Sequence, residues 1–141
     1  MKLNADCIRE VLLELEDSLA IYTNDEGNLE NKTVSLHHLD CVLIRYSRED
    51  IFYTLTNLEQ AGYIQMIAQW SGSGLYRCEV KCITFRGHEF LEKIRCDQSW
   101  SKVKSVAESV RNYSLDAINE IANGVASAAI KAYLEKVVGS N

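Results

Sequence analysis

The chain has 141 residues, 47% of them hydrophobic, with 15 basic against 20 acidic side chains and a net charge of −5. That length can bury one sizeable core but is short for two independent domains of ordinary size, and the acid excess disfavours nonspecific attraction to nucleic acid or anionic lipid. No apolar run approaches the ~20 residues that span a bilayer. The opening MKLNADCIREVLLELED carries acids where a signal peptide needs a clean apolar centre, so a cytoplasmic protein without membrane association is expected. Cys7, Cys41, Cys78, Cys82 and Cys96 are an odd set without framework spacing, which points to reduced thiols.

The first predicted element is a helix over Asn4 to Asp17, with Asn4 as its cap and Cys7, Ile8, Val11, Leu12 and Leu15 on one face. A polar segment around Gly27 follows and reads as a surface loop, flanked by short extended pieces at 20–23 and 33–35. LHHLDCVLI, behind Ser35, reads as a short second helix. The clearest signal comes next, in YSREDIFYTLTNLEQAGYI. Ser47 caps a helix with Asp50 three residues on, Ile51, Leu55 and Leu58 form one apolar stripe, and Gly62 stands where a left-handed terminal residue is needed. YIQMIAQW and LYRCEVKCIT then flank SGSG, so two strands and a turn are expected, with Tyr76, Cys78, Val80 and Cys82 on one face and Arg77, Glu79 and Lys81 on the wet one. FRGHEFLEKIR returns to helix, with Gly87 expected to permit the strand-to-helix turn, and Trp100 and Val103 carry the helical pattern onward. From Ser114 to Val138 a long helix is expected, with a seam of Leu115, Ile118, Ala122, Val125, Ala129 and Ala132 that packs on its own domain or forms a homo-oligomer.

Helix, short helix, capped helix and glycine-tipped hairpin in that order predict an α+β fold. It would be a winged helix-turn-helix core over 1–96, with a small antiparallel hairpin as the wing and a C-terminal helical extension over 97–141. Three blocks, MKLNADCIRE, the Tyr-Ser-x-Glu-Asp-Ile to Ala-Gly-Tyr-Ile unit, and ITFRGHEFLEKIR followed by Trp100 and Lys104, carry a further likeness. In them the chain resembles the bacterial and prophage domain-of-unknown-function family 2513. Ala5 stands where that family suggests proline, and Thr54 where a histidine often follows the tyrosine. The resemblance implies a small winged-helix-like protein of bacterial or phage origin and carries over no catalytic residue.

On such a scaffold the recognition surface would comprise Arg48, Phe52, Tyr53, Thr56, Asn57, Trp70 and Arg77, with Glu49 beside them at the start of the helix. Charge then separates two partners. Between Ser47 and Thr84 there are three bases, Arg48, Arg77 and Lys81, against the four acids Glu49, Asp50, Glu59 and Glu79. A duplex-binding face neutralises phosphates, so this balance favours a protein partner and leaves duplex DNA as the alternative. Convergence of Arg45, Arg48, Arg77, Arg86 and Lys102 would restore the DNA reading. Glu49 and Asp50 have a structural use, since acids in a first helical turn complement its dipole by ~0.3–1 kcal/mol each.

Chemistry beyond recognition has thin support. His37 and Cys41 fall one helical turn apart, with His38 and His88 elsewhere, but no CxxC or HExxH is present. Cys78 and Cys82 on one strand would hold their Cα atoms ~13 Å apart, too far to bridge. His88 and Glu89 are sequence neighbours that point apart on a helix, and SGSG lacks the lysine and the helix of a phosphate loop. A non-enzyme without metal or other cofactor is expected.

Overall fold

The structure is a computed structural model, and it describes residues 1–139. Its elements run α1 (Ala5–Ser18), β1 (Ala20–Thr23), β2 (Leu29–Lys32), β3 (Val34–Ser35), α2 (Leu36–Val42), α3 (Arg48–Gln60), β4 (Ile64–Ser71), β5 (Gly74–Ile83), α4 (Phe85–Ile94), α5 (Asp97–Val110) and α6 (Leu115–Val138). The chain is therefore α+β, with two small antiparallel sheets, β1-β2 and β3-β5-β4. It divides into two compact units, one from Met1 to His88 and one from Glu89 onward.

In the first unit the core is built from helix faces. Asn4 Oδ1 accepts from the Cys7 N–H to start α1, which then buries Cys7, Ile8, Val11, Leu12 and Leu15. Ser47 Oγ accepts from the Asp50 N–H to start α3, whose Ile51, Leu55 and Leu58 are fully buried. α1 packs on α3 and β5, while α2 and β4 also rest on α3. The end of α3 is tightly specified. Gly62 has φ +82°, its N–H reaches the Glu59 carbonyl at 2.9 Å, and the Tyr63 N–H reaches the Leu58 carbonyl at 2.9 Å. This paired closure needs a left-handed residue, which glycine adopts without strain.

The polar segment after α1 is more ordered than its composition suggests. The strand at 20–23 forms, but its partner is Leu29–Lys32, in the register Tyr22 opposite Glu30. Asn24 Oδ1 accepts from the N–H groups of Glu26 and Asn28 and so folds the turn. Tyr22 donates its hydroxyl to Glu30 at 2.6 Å, and this bond, followed by one from the Asn24 amide, holds the Glu30 carboxyl below its ordinary range.

Two further expectations change. Gly87 lies in the first turn of α4 and does not make the strand-to-helix turn. Thr84 does: its hydroxyl accepts from the Gly87 N–H at 3.1 Å and donates to the Gly62 carbonyl at 2.6 Å. Gly87 is required because a Cβ there would collide with the Tyr63 carbonyl and approach Ile83 Cγ2 at 2.7 Å. The helical pattern through Trp100 is also interrupted, since α4 stops at Ile94 and α5 begins at Asp97.

In the second unit α5 packs on α6. Trp100, Val103 and Ala107 are buried on α5, and Leu115, Ile118 and Ala122 on α6. Packing of the expected α6 seam within its own unit thus reaches only the first half, because Ala129 and Ala132 are exposed on the single chain.

Candidate functional site

The apolar stripe of α3 faces the core, so the residues between its members, the buried Thr54 excepted, are turned outward or sideways. Phe52 and Thr56 face the hairpin. Hydrogen bonding across β4 and β5 holds that hairpin in a register that opposes Ala68 to Cys78 and Met66 to Val80, with shifts at Gln65/Met66 and Gln69/Trp70. Alternation along β4 then puts Met66, Ala68 and Trp70 on the face toward α3. Phe52, Thr56, Glu59 and Gln60 of α3 and these three residues line an open cleft of about 280 Å³. Phe52 meets Trp70 edge to face, with ring centroids 5.7 Å apart and planes at 78°. Trp70 nevertheless keeps 63% of its surface exposed.

A second cleft of about 210 Å³ lies along β5 and brings Arg48 and Arg77 together with His37 and Tyr76. Glu79 joins them there, and its carboxylate sits 2.9 Å from the Arg77 guanidinium, so one of the two arginines is already neutralised.

The seven residues expected from sequence therefore separate into three groups. Phe52, Thr56 and Trp70 share the first cleft, and Arg48 and Arg77 share the second. Tyr53 and Asn57 line neither; the Asn57 amide donates to the Tyr53 carbonyl at 2.8 Å, and the Thr56 hydroxyl likewise donates to the Phe52 carbonyl at 3.0 Å. Those two polar groups are spent on their own helix. Thr54 is buried, with its hydroxyl donating to the Asp50 carbonyl at 2.8 Å and lying 3.4 Å from Cys7 Sγ. Its neighbourhood is apolar, and burial pushes the Cys7 thiol up.

Arg45 and Arg86 line neither of these clefts and have partners of their own. Arg45 pairs with Glu10 at 3.2 Å and Arg86 lies 5.2 Å over the Tyr63 ring. Tyr46 donates its hydroxyl to Glu10 as well; burial, then that hydrogen bond, pushes its phenol far above the ordinary range.

One cluster escaped sequence reasoning altogether. Glu14 Oε1 lies 2.8 Å from Ser18 Oγ and 3.0 Å from His38 Nε2, and Ser18 Oγ lies 3.2 Å from that same Nε2. In a nucleophilic triad the carboxylate holds one ring nitrogen while the hydroxyl meets the other. Here both meet Nε2, so the arrangement differs from a triad and joins α1 to α2. Helical spacing on α1 gives the Glu14 and Ser18 pair; only tertiary placement adds His38. The His37 ring lies 3.6 Å from Cys41 Sγ, and among the described residues no three His, Cys, Asp or Glu side chains gather as a metal set. No helix among them is long and apolar enough to cross a membrane.

A family model described as "Hypothetical protein (DUF2513)" matches residues 2–114. The chain belongs to this family. An "Uncharacterized protein" of Haemophilus influenzae (strain ATCC 51907 / DSM 11121 / KW20 / Rd) is 31% identical over 128 residues, which cover 90% of this chain and 97% of that protein. A match of that length reaches into α6, beyond the segment the DUF2513 model spans. No solved structure matches the chain.

Proposed function

We propose that residues 1–96 of this DUF2513 protein form a winged helix-turn-helix module that binds a protein partner without catalysis, using the cleft between α3 and β4. The scaffold reading is supported by the element order α1, β3, α2, α3, β4, β5, into which the β1-β2 hairpin is inserted after α1, and by the strand order β3-β5-β4, which leaves the β4–β5 hairpin beside α3 as a wing. The Phe52–Trp70 pair carries the functional reading. An exposed tryptophan propped by a second ring over an apolar floor is the kind of anchor on which protein interfaces concentrate their binding energy. Glu59 at the edge of that cleft suits a partner segment with an apolar anchor flanked by lysine or arginine.

A selection from displayed random peptides tests this. Enriched peptides should carry such an anchor and base, and should change the emission of the exposed Trp70 while leaving the buried Trp100 unaffected. Binding should fall at least tenfold for Phe52→Ala and Trp70→Ala. Failure to enrich any peptide, or enriched peptides that bind the variants equally well, would overturn the reading.

Duplex DNA is the second reading, favoured by Arg48 and Arg77 in one cleft with Tyr76. It requires retardation of duplex fragments that weakens steeply with salt. Glu79 within the cleft, and the engagement of Arg45 by Glu10 and of Arg86 by the Tyr63 ring, weigh against it.

A further inference from the structure

The second half of α6 shows a surface that neither α5 nor the proposed recognition cleft uses. Ile130, Tyr133, Leu134, Val137 and Val138 recur at helical spacing and are all exposed. At 3.6 residues per turn they are centred roughly 90° around the helix from the buried positions Leu115, Ile118 and Ala122. The stripe is therefore a separate face and does not extend the seam that α5 covers.

We propose that this stripe is the contact surface for a second copy of the chain, α6 pairing with α6 about a two-fold axis. Three observations select that occupant. The first is area. The five side chains are between 50% and 67% exposed. With ~150–250 Å² for a whole aromatic side chain and rather less for an aliphatic one, they present roughly 500 Å² per chain. A two-fold pair would then bury about 1,000 Å², the size at which a specific interface begins.

The second is charge. From 126 to 139 the only side chains charged at neutral pH are Lys131, Glu135 and Lys136, so two copies meet with little mutual repulsion. Two lysines and a glutamate also make a poor match for an anionic lipid surface, where a basic polar face is needed. The third is support for the helix itself. About 14 residues of largely exposed helix are marginal in water, and a partner always present at the same concentration supplies cover through an identical, self-complementary patch.

Sedimentation velocity on the full chain, with a photo-crosslinking phenylalanine analogue in place of Tyr133 as the second measurement, decides the matter. A dimer at micromolar concentration is expected, and Ile130→Glu with Leu134→Glu should raise its dissociation constant about a hundredfold or more with far-UV circular dichroism little changed. Mixed ¹⁴N and ¹⁵N chains should yield cross-links that join a light chain to a heavy one through the segment 126–139. A monomer at the highest soluble concentration, a dimer indifferent to the double substitution, or cross-links confined to single chains would each overturn the proposal. Because these measurements touch only α6, they fail or succeed independently of the Phe52–Trp70 cleft.

Discussion

α3 and α5 are helices of nearly equal length, 13 and 14 residues, and each buries one stripe, Ile51, Leu55 and Leu58 in the first case and Trp100, Val103 and Ala107 in the second. Their ends close in the same way. As Gly62 and Tyr63 bond back to Glu59 and Leu58, so Arg111 and Asn112 bond back to Glu108 and Ala107, at 3.2 and 3.1 Å. The residues that do this differ. α3 has a capping serine and a terminal glycine; α5 starts at Cys96, whose side chain closes no capping hydrogen bond, and ends with Arg111 held at φ +55°. Hydrogen bonding at a helix end is close to obligatory, whereas the residue suited to it is a preference that burial elsewhere can override. α5 thus rests on its buried stripe, and α3 rests on stripe and ends together.

That contrast is open to breakage in order of size. The largest effects should come from the stripes. Trp100→Ala should destabilise by ~3–5 kcal/mol and Leu55→Ala by ~2–5 kcal/mol in urea unfolding, since each removes a buried side chain and leaves a void. If α5 depends on its stripe alone, Trp100→Ala should also lower helical circular dichroism before the main transition; a single coincident loss would argue that the two units unfold as one. Next come the left-handed positions. Gly62→Ala should cost ~1–2 kcal/mol, because a Cβ is strained at that φ. Arg111→Gly removes the same strain and should stabilise α5 by up to ~1 kcal/mol. A loss of stability in Arg111→Gly would mean that the arginine side chain, and not its backbone, holds the turn.

The same contrast explains what could be read in the amino-acid order. α3 was legible because Ser47, the Ile51 stripe and Gly62 each mark it locally, and the β4–β5 hairpin because alternation and SGSG agree. The break between α4 and α5 was not, since neither proline nor glycine stands between Ile94 and Asp97 and Cys96 is no preferred cap. LENK carries no strand signature either; β2 exists because the Asn24 turn lays it against β1. At the candidate site, Phe52 and Trp70 could each be named, but their meeting depends on how far the strand twists over the helix. Thr56 and Asn57 looked available and are bound to their own backbone, as small polar side chains in helices often are. On α6 the alanines concealed the outcome, because their periodicity matches the buried seam while the larger side chains one position on face water.

Smaller effects test the helix starts. Ser47→Ala should cost ~1 kcal/mol, and Cys96→Ser should add a few tenths to ~1 kcal/mol by giving α5 the cap it lacks. Equal and null effects at both positions would show that capping contributes nothing that burial has not already secured.

The smallest effect is chemical and concerns the Cys96 thiol. Backbone N–H groups of Ser99, and after it Gln98, at the start of α5 favour the thiolate and hold this thiol below its ordinary value of 9.0, although no capping bond of ordinary geometry closes. Burial does the opposite to Cys7 and Cys78 and pushes both up. The sign follows directly. A lowered folded value means more thiolate at a given pH, so Cys96 should be alkylated faster than the same cysteine in the urea-unfolded chain, with its rate profile displaced toward lower pH. By linkage, the contribution to stability is present above 9.0 and lost as pH falls through the folded value, while for Cys7 and Cys78 stability is lost as pH rises above 9.0. Mass spectrometry of iodoacetamide-treated protein across the neutral to alkaline range separates the three. Coincident profiles for Cys96 in the folded and unfolded chain would show that the open start of α5 exerts no field on the residue that precedes it, and that α3 and α5 differ at their N-termini in hydrogen bonding alone.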